Sequence, residues 1–399
     1  MNKILEDSRG LFGKKELFNY ILKHGPVSKN DISSHYTVSV TTASRILREL
    51  VNAGLVSKVD FGESIGGRKP ALWEVIASSF YSIGVNLAPD KLEIILIDLS
   101  ARIIDKHVFE DVNSDKNPRE IVGIVIRSIK ETQANYKRKI VGVGISTHGP
   151  LDRKNGIILE PLMIDKVQWE NVPIREMIQR EIDLPVFIDN RSRVGALSEL
   201  WHGNAKNMRN VLFIITDYGI GAGIIANGKL LGDDIDITGS LGNMIINIDQ
   251  ATSNTETKGR LEDYATLQAM IKIARNDMKK GKKSLLFEYS NGKPDNVVFD
   301  DICRGVEEGD PLCRKIVTDA ATAFGIGLAN FCSIIHPEIA VLGGEIIDKC
   351  GLYFDIGTAI AEKYIYPKVY NPIPYVKSKL DENAICIGAA IQVFNNFLE

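Results

Sequence analysis

Ser39, Thr41, Thr42, Ser44, Arg45 and Arg48 fall in one short segment near the start of the chain. Hydroxyls and guanidiniums grouped this way can donate to phosphate oxygens and to acceptor atoms on base edges in a DNA major groove. The element that must present them is a helix from Val40 to Ala53, capped by Ser39 and ended at Gly54. Ala43, Ile46, Leu47, Leu50 and Val51 recur as an apolar stripe on its other face. Two helices are expected before it. Lys14 to Gly25 carries Leu17, Tyr20 and Ile21 on one face, and Lys29 to Ser34 follows a Ser28 cap. Strands Leu55–Val59 and Ala71–Val75 come next, joined by a tip that ends Gly66-Gly67-Arg68-Lys69-Pro70. Three helices and two strands in that order predict a winged helix-turn-helix over residues 1–76. Gly67, Arg68 and Lys69 form a narrow basic finger, and Arg68 suits a minor groove where negative potential is concentrated.

A second group of polar residues is scattered through the body. His148, Gly149 and Pro150 follow the buried-strand pattern Ile140–Ser146, at the end of a strand where open α/β sheets bind ligands. His148 is read as a structural or hydrogen-bonding wall residue. Asp189-Asn190-Arg191-Ser192-Arg193 follows another strand, Val186–Ile188. Asn190 can bond a hydroxyl, and Arg191 and Arg193 can either favour an anionic ligand or pair with Asp189 or Glu199. Val211–Thr216 reads as a strand running into Gly219, Gly221 and Gly223; a hairpin turning at Asn227-Gly228 accounts for most of that glycine run. A hairpin over Tyr81–Leu87 and Leu92–Asp98, an amphipathic helix from Pro118 to Tyr136 and a helix from Trp169 to about Leu184 complete an α/β body. Trp169 is expected in the core.

The order of these segments resembles the ROK family, a group of sugar kinases and related transcriptional repressors. Thr238-Gly239-Ser240-Leu241-Gly242-Asn243 followed by Gly259-Arg260-Leu261-Glu262 resembles the family's sugar signature, with Ser240 and Asn243 in place of its Glu and His. Ser253, Thr255 and Arg260 stand where the family has zinc-binding cysteines, and such side chains do not hold zinc. Asn86, Ala88, Pro89 and Asp90 replace the phosphate loop Asp-x-Gly-Gly-Thr. Arg191 replaces the aspartate that acts as general base in the kinases, and a guanidinium cannot accept that proton. Ile334–Glu345 is similar to the family's Asn-Pro-Glu-x-Ile-Val-x-Gly-Gly segment, and the Gly-Gly-Arg wing resembles the head of ROK repressors.

The chain has 399 residues, 44% hydrophobic and 25% charged. Residues 1–75 hold seven Lys and four Arg against three Asp and five Glu, a balance of +3 against −3 for the whole, so the remainder is −6. A basic head on an acidic body suits a polyanion at the head alone. No apolar run of membrane length is expected, the start lacks a signal-peptide core, and five dispersed cysteines suggest neither disulfides nor a metal cluster, which together point to the cytoplasm.

The resemblance implies an α/β, two-lobed, actin-like and ribonuclease H-like sugar kinase fold behind the winged head. Its first lobe covers 77–195, joined by a C-terminal helix 386–399, and its second, 196–385, carries the ligand cleft and dimerisation. The expected protein is a repressor that binds double-stranded operator DNA as a homodimer, possibly a tetramer. It would sense a sugar or sugar phosphate through His148, Gly149, Asn190, Arg191, Ser240, Asn243 and Glu262, with no catalytic residue, metal, cofactor or membrane. The alternatives are an ATP-dependent sugar kinase using Asp189 as base, and a DNA-binding dimer without effector.

Overall fold

A computed structural model describes residues 13–61, 70–88, 91–110, 117–136, 139–159, 169–232, 238–248, 258–365, 372–380 and 383–398. The head begins with helices α1 (Lys14–His24), α2 (Lys29–Tyr36) and α3 (Val40–Asn52). Ser28 starts α2 through a reciprocal cap: its hydroxyl accepts from the Asp31 amide and its amide donates to the Asp31 carboxylate. The Ser39 hydroxyl accepts from the Thr42 amide at 3.1 Å and starts α3. Leu17, Phe18, Ile21, Ile32, Ala43, Ile46, Leu47 and Leu50 meet in the interior. Val51, expected in that stripe, is 36% exposed; it stands at the end of α3, just past the buried positions. Phe18 fills the core, and Tyr20 is only partly buried, against His24, His35 and Tyr36.

Strands β1 (Val27–Ser28), β2 (Val56–Phe61) and β3 (Ala71–Val75) form an antiparallel sheet in the order β1-β3-β2. The two residues of β1 are too few for an alternating pattern to announce them. The tip with Gly67, Arg68 and Lys69 lies outside the described residues, as do Pro89, Asp90, Ser253 and Thr255.

In the body, β4 (Tyr81–Leu87), β5 (Lys91–Asp98) and β6 (Ile103–Glu110) make an antiparallel meander, with β7 (Ile140–Thr147) parallel to β4. After the short hairpin β8 (Leu151–Asp152) and β9 (Ile157–Ile158), β10 (Val186–Asn190) completes the sheet order β10-β7-β4-β5-β6. Strand β6 was not expected: it is an edge strand whose Asp105, Lys106 and His107 interrupt any apolar run. The helix expected from Trp169 spans only Ile174–Gln179. Asn171 is left-handed at φ 54° and Pro173 lacks an amide proton, so a helix cannot pass through them. Trp169 itself is buried.

The second sheet has the order β13-β12-β11-β14-β15, built from β11 (Val211–Thr216), β12 (Ile220–Ala226), β13 (Lys229–Leu230), β14 (Ile339–Gly343) and β15 (Tyr375–Lys377). Its helical layer contains Pro311–Ile335, the one helix among the described residues long and apolar enough to cross a membrane. That corrects the expectation of no such run. Its buried face of Ile316, Val317, Ala320, Ala321, Phe324 and Leu328 packs in the core of this lobe.

Two helices lie between the sheets and touch each other. Arg191–His202 packs on β11 and β12, and Ala384–Leu398 packs on β4 and β7. Gly388 permits that contact: a Cβ there would lie 1.8 Å from the Val194 carbonyl oxygen. The expected lobe boundary between residues 195 and 196 falls inside the first of these helices.

Candidate functional site

Strands β7 and β10 run side by side and end together, with Thr147 paired to Asn190. His148 therefore emerges beside the start of the Arg191–His202 helix. The Asn190 side-chain oxygen caps that helix, accepting from the Ser192 amide and hydroxyl, each at 2.9 Å. Arg191 is the first helical residue, and its Nη1 lies 2.9 Å from His148 Nε2 and 3.1 Å from the Asp217 carboxylate.

A guanidinium can only donate, so His148 Nε2 accepts and the ring proton sits on Nδ1. That Nδ1 is buried and has no partner among the described residues, and the same holds for Thr147 Oγ1 and Arg191 Nε. Burial first, and then the positive charge of Arg191, holds the His148 pKa well below the usual imidazole value. The ring is a neutral hydrogen-bonding group.

Asp217 occupies the turn between β11 and β12. Its second carboxylate oxygen accepts the Glu345 amide at 2.6 Å, where the Glu345–Lys349 helix begins. Gly344 beside it has φ +100°, and a Cβ there would stand 2.6 Å from that oxygen. One aspartate thus ties the Arg191 helix to the end of β14. On the same turn, Glu262 Oε1 accepts from the Ile220 amide at 2.9 Å. Gly242 faces this carboxylate, and a Cβ would come within 2.2 Å of it. Burial raises the Glu262 pKa.

Of the expected ligand residues, His148, Asn190 and Arg191 come together, with Gly149 next to His148, and Asp217 joins them to the turn that holds Glu262. Ser240 and Asn243 are exposed, and Asn243 accepts from Arg260 at 3.1 Å. Sequence reading missed Asp217, although its place between a buried strand and a glycine run was a usable signal. Arg153 and Gln392, which reach Asp189, carried no local signal.

Asp189 and Asn86 are both engaged in internal bonds. Asp189 accepts from Arg193 at 2.7 Å, from its neighbour's amide at 2.8 Å, and from Arg153 and Gln392 at 3.3 Å. Arg193 thus takes the pairing with Asp189 weighed from sequence, and Arg191 pairs with Asp217 instead. Asn86 turns inward, donating to the buried Glu93 at 2.9 Å and accepting from Ser146 at 3.1 Å.

On the head, Ser39, Thr41, Arg45 and Arg48 are exposed along α3, with Thr42 and Ser44 half-buried beside them. Arg45 pairs with Glu49 on the next turn at 2.7 Å.

Two α/β lobes joined through a pair of packed helices, with a winged helical head in front, define the architecture. The chain belongs to the ROK family, whose model matches residues 82–395 and so leaves the head outside. It is 28% identical to the xylose repressor of Caldicellulosiruptor bescii over 95% of this chain and 94% of that protein. It is 26% identical to the glucokinase of Thermotoga maritima over 77% of this chain and 95% of the enzyme. Among solved structures, a ROK family transcriptional regulator described as a homologue of the E. coli MLC protein superimposes with a TM-score of 0.80 at 22% identity, covering 96% of both chains. That likeness establishes the fold, head included.

Proposed function

We propose that the protein is a sugar-responsive transcriptional repressor that binds double-stranded operator DNA and does not phosphorylate its ligand. The observation that carries the reading is Arg191. It stands at the head of its helix where the kinases of this family place a general base, and its guanidinium is engaged by His148 and Asp217. Asp189, the alternative base, is saturated by four donors. Asn86 is bound inward to Glu93. Repressor relatives that match the chain through its head add support.

The DNA face is formed by Ser39, Thr41, Thr42, Ser44, Arg45 and Arg48 of α3 and by Gly67, Arg68 and Lys69 of the wing. The effector, a sugar or sugar phosphate, contacts His148, Gly149, Asn190, Arg191 and Glu262, with Ser240 and Asn243 at the rim. The working units are the head at 1–76, a first lobe at 77–195 completed by the C-terminal, closing helix (expected at 386–399, Ala384–Leu398 in the structure), and a second lobe at 196–385.

Signal transfer is favoured by the way the head is seated. Phe18 on α1 meets Phe80 with ring centres 6.2 Å apart, Phe80 meets Phe397 of the closing helix at 5.0 Å, and Asn19 donates to the Leu398 carbonyl at 2.9 Å. The closing helix also packs on the Arg191 helix, so cleft and head share one contiguous core. Exposed Ile245, Ile248 and Ile334 on the second lobe suit a homodimer contact in the cytoplasm.

The test is operator selection from genomic fragments, followed by binding with and without a panel of sugars and sugar phosphates, and by an ATP-turnover assay on the same panel. Effector-dependent release from DNA without turnover is expected. Turnover of a monosaccharide with ATP would overturn the reading.

A further inference from the structure

The basic face of α3 carries one carboxylate. From Ser39 to Gly54 the acidic residue is Glu49 alone, in a segment that also holds Arg45 and Arg48. Its two oxygens have separate partners. Oε1 lies 2.7 Å from Arg45 Nη1, and Oε2 lies 3.4 Å from Lys14 Nζ at the start of α1. The Arg45 side chain is 58% exposed and that of Glu49 37%, so the pair stands at the surface assigned above to DNA. Arg48, three residues beyond Arg45, is exposed and has no ion-pair partner among the described residues.

A carboxylate in that place opposes the approach of any polyanion. At about 0.1 M salt charges are screened over about 10 Å, so a phosphate in contact with Arg45 still meets Glu49. An exposed ion pair of this spacing adds little to fold stability, so stability is a poor reason for it. We infer that Glu49 is a specificity-determining residue of the DNA face, which withholds the charge of Arg45 from phosphates and holds its guanidinium for a base edge. The inference rests on the operator-binding reading above.

The two arginines then contribute differently. Sequence-independent affinity comes from cations that displace counterions from phosphates, and Arg48 keeps its full charge for that purpose. Arg45 with Glu49 is a nearly neutral pair and adds little to the same attraction. A base edge is read by geometry instead: a guanidinium is a rigid planar fork, and two of its N–H groups can donate together to a guanine. Glu49 holds one arm of that fork and leaves the other donors free. Lys14 holds the second oxygen of Glu49, so the carboxylate that orients Arg45 is itself fixed to a neighbouring helix.

The test compares the full-length protein on its operator and on a non-operator duplex of equal length, by fluorescence anisotropy over a salt series. The proteins are the unaltered chain, Glu49→Gln, Arg45→Ala and the double variant, each measured below its melting transition. Glu49→Gln should bind the non-operator duplex roughly five- to tenfold more tightly near 0.1 M salt, with a slope of log affinity against log salt steeper by about one. Its ratio of operator to non-operator affinity should fall roughly threefold or more. In the Arg45→Ala background the same change should leave the ratio as it was, a dependence that a merely structural role does not produce.

Arg45→Lys supplies a second reading should Glu49→Gln fold poorly. It keeps the charge and loses the fork, so it should weaken operator binding and spare non-operator binding. An unchanged ratio in Glu49→Gln, the same fall with and without Arg45, or an equal loss on both duplexes in Arg45→Lys would overturn the inference and leave the operator-binding reading standing. A protein that selects no operator at all would overturn both.

Discussion

The guanidinium of Arg191 lies 3.1 Å from the carboxylate of Asp217, with both side chains nearly enclosed. The pair connects a helix that leaves the first sheet to a turn of the second. Removing one partner leaves the other as an uncompensated charge, which typically costs about 3–5 kcal/mol. Arg191→Ala should therefore lower the melting temperature by several degrees, and so should Asp217→Ala. The double variant should lose clearly less than the sum, as a thermal-denaturation cycle will measure. Arg191→Asp, which puts a carboxylate back at that position, should lower stability further through repulsion from Asp217 and should yield no ATP turnover.

Charging Glu262 in its buried place carries a cost. Burial raises its folded pKa above the ordinary 4.5, so its contribution to stability is full below 4.5 and is lost as pH rises through the folded value. At pH 7, Glu262→Gln should remove that cost and keep the bond to the Ile220 amide, raising the melting temperature by about one or two degrees. The same variant should abolish any effector-induced thermal shift. A fall in melting temperature at pH 7 would refute this account of Glu262.

His148 gives a pH dependence of the other kind. The unfolded imidazole takes up a proton near pH 6.5, whereas the folded ring, with a pKa held well below that, does not. The unfolded state then binds more protons, and stability should fall as pH drops below about 6.5, until the folded ring titrates as well. His148→Gln can still accept from Arg191 but cannot titrate, so its melting temperature should fall less steeply between pH 6.5 and 5. Equal slopes would remove His148 as the cause.

On the head, Arg45→Ala and Arg48→Ala should each weaken operator binding roughly tenfold. Where a phosphate contact is lost, the slope of log affinity against log salt should shallow by about one. Fluorescence anisotropy at three salt concentrations would measure both, and unchanged binding in both variants would place the DNA face elsewhere.

Phe80 tests the route between cleft and head. Phe80→Ala should cost about 3–5 kcal/mol, since the ring is buried between Phe18 and Phe397. Operator binding measured below the melting transition should persist but no longer respond to effector. A full effector response in this variant would exclude the aromatic contact as the coupling element.

Much of this protein was determined locally. The Ser28 and Ser39 caps, the stripe of Ala43, Ile46, Leu47 and Leu50, and the continuous apolar runs of β4, β7 and β11 each depend on neighbours a few residues apart, and they stand in the structure as the sequence implied. That Arg191 can donate but not accept a proton was legible for the same reason: the chemistry of a side chain is known before its position is.

Only the tertiary structure decided what those side chains do. Asp217 acquires its partner because β14 runs parallel to β11 and carries Gly344 and the following short helix to that end of the sheet. Asp189 is bonded by Arg153 and by Gln392 of the helix Ala384–Leu398, residues far from it in sequence. The edge strand β6 and the two-residue β1 exist through pairing rather than through their own composition. Local patterns report which faces are apolar and where helices begin; which polar groups meet in the interior depends on how two sheets and the helices between them close, and no short window of sequence contains that information.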